Sequence, residues 1–175
     1  IDKSKKEGVE VQCEVSIHHL VNSELACENF NTNAKLNPPL ACEKDVALLQ
    51  EALKNKQIDM LTTLHQPSSP VNKEVAFFDA AYGCEALTDA LPLYYTKLVQ
   101  TGMLSMGELI RLTVQAPSKS IGKESGVLEV GQRVEAVLFN PHAKKTLHNK
   151  QSLYNGEALN GEVLMSFQGE RITKF

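Results

Sequence analysis

The sequence lacks most of the short motifs that would assign a chemistry directly. It contains no G-x-S-x-G, no P-loop and no G-x-G-x-x-G segment, so neither serine hydrolysis nor nucleotide binding is indicated. No apolar run approaches the roughly 18 residues that span a bilayer, and the polar start of the chain has no hydrophobic region of a secretory signal. We therefore predict a cytoplasmic protein with no membrane partner.

Clustered metal ligands are also missing. The cysteines form no C-x-x-C pair, which favours buried thiols in a reducing compartment. The histidines form no H-x-H or H-x-x-x-H pair that could clamp a metal from one strand or helix face. These residues are Cys13, Cys27, Cys42 and Cys84, and His18, His19, His65, His142 and His148. The sequence therefore predicts no metal site that this chain builds by itself.

Charge of one sign is not in large excess. Lysine and arginine number 18 against 21 aspartate and glutamate residues, without long charged runs, so nucleic acid is not an expected partner. Lys3, Lys5 and Lys6 are interpreted as the solvated face of a helix. With 42% hydrophobic and 22% charged residues, the 175-residue chain is typical of a globular domain or a fragment of one. Because it starts at Ile1 rather than methionine, we expect upstream sequence.

The first half alternates strands and helices in the manner of an α/β fold. Val9 to Val15 alternates like a strand, Glu43 to Asn55 repeats apolar residues at helical spacing, and Ile58 to Thr63 is typical of a short buried strand. The long segment before the helix is predicted to be irregular because Pro38 and Pro39 fix φ. Strand, helix and strand in this order form the unit of a parallel sheet or barrel.

Two helices are predicted after the last of these strands. Apolar residues recur on one helical face from Leu87 to Val99, and Gly102 supplies the left-handed residue that ends many helices. Ser105 and Glu108 form a capping box, which predicts that a second helix begins there. We expect this helix to stop near Pro117, because proline lacks the N–H that a helix interior needs.

Beyond Gly122 the sequence predicts a small β module. Glycine, proline and Asn-Gly dipeptides separate short strand-like runs, and Asn-Gly favours the positive φ of tight turns. The predicted breaks are Gly131, Pro141, Asn155-Gly156, Asn160-Gly161 and Gly169. The predicted strands are Val127 to Val130, Val134 to Phe139, Glu162 to Phe167 and Arg171 to Phe175.

Five segments, in order along the chain, resemble motifs of the bacterial dihydroorotases related to allantoinases and hydantoinases, in the amidohydrolase superfamily. VQCEVSIHHL from residue 11 and KLNPPL from residue 35 resemble the seventh-strand region of that family's barrel. IDMLTTLHQP from residue 58 is similar to the eighth-strand motif Ile-Asp-x-x-x-Thr-Asp-His-Ala-Pro-His. AAYGCEALTDALPL from residue 80 resembles the segment that follows it, and GVLEVGQRVEAVLFNP from residue 126 resembles the signature of the family's β-sandwich.

The resemblance implies a fold and its division. Residues 1–122 would form the C-terminal part of a (β/α)8 TIM barrel, about its last two strands with their helices, and residues 123–175 a small β-sandwich module. The family's zinc ligands belong to barrel strands that this chain does not contain, so zinc is implied for the family and none for this chain alone. We expect the missing N-terminal half of the same protein as a partner, or pairing with another copy in a homo-oligomer.

The resemblance also implies which positions face a substrate. The family's catalytic aspartate, which carries a proton to the leaving nitrogen, corresponds to Leu64, and leucine neither accepts a proton nor binds a metal. The histidine that pairs with the substrate carboxylate corresponds to Ser68, and the arginine after the NPPL motif corresponds to Ala41. Asn37 falls on the asparagine that contacts the pyrimidine ring. The Tyr82-Gly83 backbone falls where the amide edge of the substrate is read.

Structural roles are the alternative for several of these residues. Asn37 would then only order a loop, and Gly83 would only permit a tight turn. His65 corresponds to the variable histidine beside the aspartate and is interpreted as filling a loop. His18 and His19 match a histidine pair that the family does not use as ligands, so we expect structural polar contacts there.

Two functional hypotheses follow. In the first, the protein is a non-catalytic dihydroorotase homologue of de novo pyrimidine biosynthesis, retained as a structural partner of aspartate transcarbamoylase, with which dihydroorotases of this family form complexes. In the second, it is an active zinc amidohydrolase that hydrolyses dihydroorotate to N-carbamoyl-aspartate, with His65 or a group from the missing half in place of the aspartate. Leu64, Ser68 and Ala41 together favour the first.

Overall fold

The computed structural model describes residues 1–123 and 128–175 of the chain. They form two compact units, one of Ile1–Ala90 with His148–Gly156 and the other of Leu91–Leu147 with Glu157–Phe175. The chain therefore leaves the first unit after Ala90 and returns to it once. The boundary expected at residue 122 rests on the family resemblance rather than on compactness, and it stays a prediction.

The first unit is organised around a parallel pair of strands. β1 (Glu14–Ser16) lies beside β2 (Met60–Thr62), with Val15 opposite Leu61, and helix α3 (Glu43–Lys54) lies between them along the chain. Val15 and Leu61 are both buried. The strand, helix and strand predicted from the sequence are therefore present, and a helical crossover is what parallel neighbours require.

β1 begins later than the sequence predicts, because residues Val9 to Cys13 do not join the strand. A side chain, rather than backbone pairing with a neighbouring strand, holds the carboxyl end of this segment. The N–H of Cys13 donates to Oδ2 of Asp59 at 2.8 Å, and the carbonyl of Cys13 accepts the N–H groups of Asp59 and Met60. The N–H of Val9 donates to the carbonyl of Ser4 at 3.0 Å, so the alternating segment is held at both ends without pairing as a strand.

The amino-terminal helix α1 (Asp2–Lys6) is fixed by the same carboxylate. Nζ of Lys5 lies 2.6 Å from Oδ2 of Asp59 in a partly buried ion pair. Burial acts to raise the pKa of Asp59, but the hydrogen bonds from Lys5 and Cys13 outweigh it, so the pKa is lowered. The predicted helix is present, and the prediction that its lysines face solvent is wrong for Lys5.

Short helical elements occupy much of the region that was expected to be irregular. α2 (Ile17–Val21) follows β1 directly because the side chain of Ser16 caps it by accepting the N–H of His19. Turns of 3₁₀ helix cover Glu24–Phe30 and Thr32–Ala34. A single turn, α4 (Pro70–Lys73), lies in the second long loop.

Small apolar side chains from these loops form a core cluster. Its members are Ala34, Leu36, Leu40 and Cys84, with Ala26, Cys27 and Leu153 packed against them. Among the cysteines, Cys84 is buried, Cys13 and Cys27 are partly buried, and Cys42 is exposed. The prediction of buried thiols is therefore wrong for Cys42, which stands at the start of α3, where its Sγ lies 3.3 Å from Oδ2 of Asp45.

The first of the two predicted later helices is present but is not uniform. α5 (Ala90–Tyr94) continues as a turn of π-helix, Tyr95–Val99. Gly102 follows with a φ of 75°, as the sequence predicts for a helix end. Leu87, which was expected on the apolar face, precedes the helix and is 60% exposed.

The second later helix begins at the predicted capping box and runs further than expected. Its elements are α6 (Met106–Ile110), a π-helical turn (Arg111–Gln115) and α7 (Ala116–Ser120). Oγ of Ser105 accepts the N–H of Glu108 at 3.2 Å, and the Glu108 carboxylate accepts the N–H of Ser105 at 2.9 Å. The predicted stop near Pro117 is wrong. The π-turn widens the helix just before Pro117 and so shifts the carbonyl that its ring would otherwise strike.

The second unit also holds an antiparallel sheet in the order β3-β4-β5. Its strands are β3 (Glu135–Thr146), β4 (Ala158–Gln168) and β5 (Arg171–Lys174). The predicted break at Pro141 is wrong, because β3 passes through it where the register shifts between Asn140 and Lys144. Leu128 to Val130 do not form the predicted strand, and Val127 lies outside the described residues.

The Asn160-Gly161 dipeptide lies inside β4 and is not the predicted turn. Gly161 has a φ of 92°, and a Cβ built there would lie 2.1 Å from the ring of Phe139 on β3. Asn160 is tied to the helical segment, since its N–H donates to Oγ1 of Thr96 at 2.8 Å. Glycine is thus required for close approach across the sheet, which local sequence does not distinguish from a turn.

We predict that Gly161→Ala lowers the free energy of unfolding by roughly 2 kcal/mol or more, because a left-handed backbone and an aromatic clash act together. Urea denaturation of the two proteins measures the difference. Gly107→Ala, in α6 with no atom within 4 Å of the added methyl group, is the matched control. It should raise stability by about 0.5–1 kcal/mol. Equal stability of Gly161→Ala and the parent would contradict the requirement for glycine at position 161.

Candidate functional site

The carboxyl ends of β1 and β2 bring several of the predicted site residues of the first unit together. In a parallel sheet, strands that run side by side end at the same edge, and ligand sites of α/β folds lie there. His18 and His19 follow β1, and Thr63, Leu64 and His65 follow β2. Cys84 lies between the two segments, since its Sγ is 3.5 Å from Nε2 of His18 and its backbone forms a parallel bridge with His65.

Leu64 stands directly after β2 in a left-handed backbone conformation. Its φ is 47°, and its N–H donates to Oγ1 of Thr62 at 3.2 Å. Aspartate and asparagine adopt this conformation far more readily than leucine does. The backbone at this position therefore suits the aspartate that the resemblance implies there, while the side chain offers only hydrocarbon.

His65 is committed to its own loop through one ring nitrogen. Nδ1 accepts the N–H groups of Ala86 and Leu87, each at 3.2 Å. With Nδ1 acting as the acceptor, the ring proton of neutral His65 is on Nε2. This leaves neither a basic nitrogen nor a metal-ligating lone pair on the neutral ring, which agrees with the interpretation that His65 fills a loop.

Glu85 is a buried carboxylate at this site that sequence reasoning missed. Its Oε1 accepts both the N–H and the hydroxyl of Thr88 at 2.9 Å, and its Oε2 accepts Nδ2 of Asn149 at 2.6 Å. Oε1 also lies 3.6 Å from Nδ1 of His65. The short Glu85 to Thr88 spacing was the only local signal, because Asn149 lies far away along the chain.

His18 is a fully buried, neutral histidine. Its ring stacks on Tyr154 with centroids 5.6 Å apart, and Nδ1 lies 2.9 Å from the Tyr154 hydroxyl, which also accepts Nδ2 of Asn22. Its pKa is lowered from 6.5 to about 4, first by burial and next by the nearby His19, while the bond to the Thr63 backbone acts in the opposite direction. His18 therefore anchors the returning segment around Tyr154.

His19 ties α2 to the loop that contains Asn37. Its Nδ1 lies 2.6 Å from Oγ of Ser16, and its Nε2 lies 3.0 Å from the carbonyl oxygen of Pro38. Because a carbonyl only accepts, Nε2 carries the proton, and for the neutral ring the Ser16 hydroxyl donates to Nδ1. Both ring nitrogens are occupied by protein groups, so the polar contacts expected for His19 are present.

The predicted substrate-facing residues lie on two neighbouring loops. Asn37 is exposed, Tyr82 is 51% exposed, Ser68 is partly buried just before α4, and Gly83 is buried. The N–H of Gly83 donates to the carbonyl of Lys35 at 2.8 Å, which brings Gly83 beside the segment that leads to Asn37.

Gly83 is required where it stands. A Cβ built there would lie 2.4 Å from the carbonyl oxygen of Gln66, and its φ is 92°. The carbonyl of Gly83 accepts Nζ of Lys73 at 2.7 Å. Both backbone polar groups of Gly83 are thus engaged by the protein itself, including the edge that the resemblance assigns to substrate.

Neither a metal-binding cluster nor a membrane-spanning helix occurs within residues 1–123 and 128–175. No three or more His, Cys, Asp or Glu side chains in this part of the chain are arranged to hold a metal ion. No helix there combines the length and apolar character needed to cross a bilayer. The residues after β1 and β2 do not fit a zinc ion, because Leu64 offers no ligand atom and His18, His19 and His65 contact protein groups.

Curated relatives are similar to nearly the whole chain, although no family model matches it. The dihydroorotase of Elusimicrobium minutum is 36% identical over 177 residues, which cover 97% of this chain and 41% of the relative. The dihydroorotase of Ruminiclostridium cellulolyticum is 36% identical over 176 residues, with the same two shares. The chain thus spans about 41% of the length of these relatives, and it matches their C-terminal part.

Solved structures with the same fold include hydantoinases and an inactive dihydroorotase-like domain. The L-hydantoinase of Arthrobacter aurescens gives a TM-score of 0.88 at 23% identity, over 99% of this chain and 41% of that one. An inactive dihydroorotase-like domain of the Chaetomium thermophilum CAD-like multifunctional protein gives 0.69 at 20% identity, over 98% and 46%. The predicted fold class, a C-terminal part of an amidohydrolase TIM barrel, is confirmed.

The buried state of His18 predicts a dependence of stability on pH. Its pKa of about 4 in the folded protein lies below the ordinary 6.5, so below pH 6.5 the unfolded chain binds a proton that the folded chain does not. Stability should therefore fall as pH falls from 6.5 to 4, by about 3 kcal/mol in total from this residue.

Urea denaturation across this pH range, for the parent and His18→Gln, measures that contribution. The variant should be less stable at neutral pH, because the Tyr154 ring loses its stacked neighbour and its hydroxyl loses the contact with Nδ1 of His18. The slope of unfolding free energy against pH between pH 4 and 6.5 should fall by the equivalent of about one proton. His148→Gln, at an exposed histidine, is the matched control for loss of an imidazole. If the slope of unfolding free energy against pH is the same in His18→Gln as in the parent, His18 binds its proton over the same pH range in the folded and the unfolded chain. That result would contradict the lowered pKa.

The left-handed backbone at Leu64 predicts an inverted order of two variants. Leu64→Gly should be more stable than Leu64→Ala by about 1 kcal/mol, because only glycine is free of strain at this φ. At Leu48, exposed in α3, the order should be the ordinary one, with alanine more stable by about 1 kcal/mol. Urea denaturation of the four variants measures both differences. If the alanine variant is more stable than the glycine variant at both positions, the left-handed backbone at Leu64 is contradicted.

Proposed function

Because the chain belongs to the dihydroorotase family and matches the C-terminal part of its members, we propose that it is part of a dihydroorotase-like protein of pyrimidine biosynthesis that has lost catalysis. The protein then serves as a structural partner of aspartate transcarbamoylase. The observation that carries the proposal is Leu64, a hydrocarbon side chain at the carboxyl end of β2.

The reaction of the family explains why one leucine matters. Opening a cyclic amide needs a metal-activated hydroxide to attack the carbonyl and a base that moves a proton to the leaving nitrogen. The family's aspartate serves the second step. Leucine has no lone pair and no exchangeable proton, so the residue at position 64 cannot transfer a proton to the leaving nitrogen.

The neighbouring titratable groups do not replace the aspartate. His65 accepts two backbone N–H groups through Nδ1, which leaves the neutral ring with a protonated Nε2 and no base. Both oxygens of Glu85 are engaged by Thr88 and Asn149, and the carboxylate is buried. Recruiting either group would break bonds that hold the loop after β2.

The substrate side supports the same proposal. Ala41 and Ser68 stand where the family carries an arginine and a histidine for the substrate carboxylate, and neither can carry a positive charge. The backbone of Gly83 is bound by Lys35 and Lys73. What persists is the scaffold, with buried strands and an ordered loop pair, and this suits a role in assembly rather than turnover.

Another protein combines this fold with a lack of activity. The Chaetomium thermophilum domain, described as an inactive dihydroorotase-like domain, shares the fold at a TM-score of 0.69. Retention of a fold after loss of its chemistry is expected where a partner still needs the surface. We therefore propose aspartate transcarbamoylase as the partner, with the zinc of active members absent from this site.

The test is dihydroorotate turnover by the full-length protein with added zinc, beside Leu64→Asp and Leu64→Asn. We expect no chelator-sensitive turnover in the parent. Aspartate and asparagine both suit the left-handed backbone, but only aspartate supplies a base, so any activity gained should appear in Leu64→Asp alone.

Co-elution with purified aspartate transcarbamoylase in size-exclusion chromatography tests the second half of the proposal. A folded, inactive parent that forms the complex is the expected result. Chelator-sensitive turnover by the parent would overturn the loss of catalysis, and an inactive parent that never binds the transcarbamoylase would overturn the proposed partner.

A further inference from the structure

Lys73 is a buried lysine whose ammonium group lies among three backbone carbonyls. Nζ donates to the carbonyl oxygens of Thr32 at 2.6 Å, Ala81 at 2.9 Å and Gly83 at 2.7 Å, and the residue is only 6% exposed. No carboxylate forms an ion pair with it in the part of the chain that the structure describes. The hydrogen bonds that the structure describes for the ammonium group thus go to carbonyl dipoles and not to a carboxylate.

The number of acceptors identifies the charged form. An ammonium group has three N–H donors, whereas a neutral amine has two and would turn its lone pair toward the third carbonyl. Burial lowers the pKa of Lys73, and Lys35 adds to this, while Cys84 acts in the opposite direction. Three short charge-assisted hydrogen bonds offset the cost of burying the charge.

The three carbonyls come from two loops that are otherwise far apart in sequence. Thr32 precedes Asn37 by a few residues, and Ala81 and Gly83 flank Tyr82. Further bonds link the same loops: Oγ1 of Thr32 donates to the carbonyl of Lys73 at 2.9 Å, and the N–H of Gly83 donates to the carbonyl of Lys35 at 2.8 Å. Lys73 lies where these connections meet.

We propose that Lys73 acts as a tethered monovalent cation, whose ammonium group fills a cradle of three buried carbonyls and thereby positions the Tyr82-Gly83 loop against the segment before Asn37. Lys73 is a positioning residue in this assignment, since it holds the backbone of other residues. The assignment is independent of whether the protein turns over a substrate, because it concerns how the two loops are held.

Apolar packing is the competing explanation for the same loop geometry. Cys84, next to Gly83, belongs to the core cluster with Ala34 and Leu36, so burial of small side chains also joins the two loops. The two explanations differ in which added molecule would restore the loops after the lysine side chain has been shortened. A packing role is restored by any group of the right volume, whereas the cradle is restored only by a cation that donates hydrogen bonds.

Chemical rescue of Lys73→Ala separates them. Propylammonium carries the three carbons and the ammonium group that this variant lacks, so it can occupy the vacated channel. The measurement is hydrogen exchange of the peptide that contains Gly83, by mass spectrometry on the intact protein. We expect exchange of this peptide to accelerate on the order of 100-fold in Lys73→Ala, because three buried carbonyls lose their donors, and to slow again with propylammonium.

Two controls make the result specific. 1-Propanol has a similar size without charge and should not restore protection. In Lys73→Met the channel stays filled by the longer side chain, so propylammonium should have no effect there. Where Lys73→Ala does not fold by itself, the folded fraction from circular dichroism in propylammonium and in 1-propanol gives the same comparison. Unchanged protection in Lys73→Ala, or equal restoration by 1-propanol, would overturn the proposal.

Discussion

β1 and β2 run in the same direction with Val15 opposite Leu61, and this pairing carries the segments after both strands to one edge of the sheet. The contact of His18 with Cys84, which is bridged to His65, is a consequence, as is the position of Leu64. A shift of one residue in this register would turn Leu64 and its neighbours to the opposite face. The candidate site therefore depends on a pairing of only a few buried residues.

Side chains that bind backbone groups hold the long loops of the first unit. Lys73 binds three carbonyls, His19 binds Pro38, and His65 binds the N–H groups of Ala86 and Leu87. Loops without strand or helix partners must satisfy their buried backbone groups in some other way, and here long polar side chains do so. The result is an ordered edge in which these side chains contact the protein's own backbone.

The features that the sequence predicted well depend on neighbouring residues. The capping box of Ser105 and Glu108, the amphipathic helix α3 and the left-handed Gly102 are each specified within about one or two helical turns. One error arose from a departure from regular α-helix geometry, and another arose where a distant residue decides. Pro117 is accommodated by a π-turn, and Asn160-Gly161 serves a contact with Phe139 that lies more than twenty residues away in sequence.

The sequence by itself determined the family resemblance, the order of strands and helices in the first half, and the presence of leucine at position 64, because each is a matter of residue identity and short spacing. Only the tertiary structure decided that His65 binds through Nδ1, that Glu85 is a buried member of the site, and that Lys73 lies among three carbonyls. These facts depend on partners brought together by folding, and a hydrogen bond between distant segments leaves no periodic trace in a sequence.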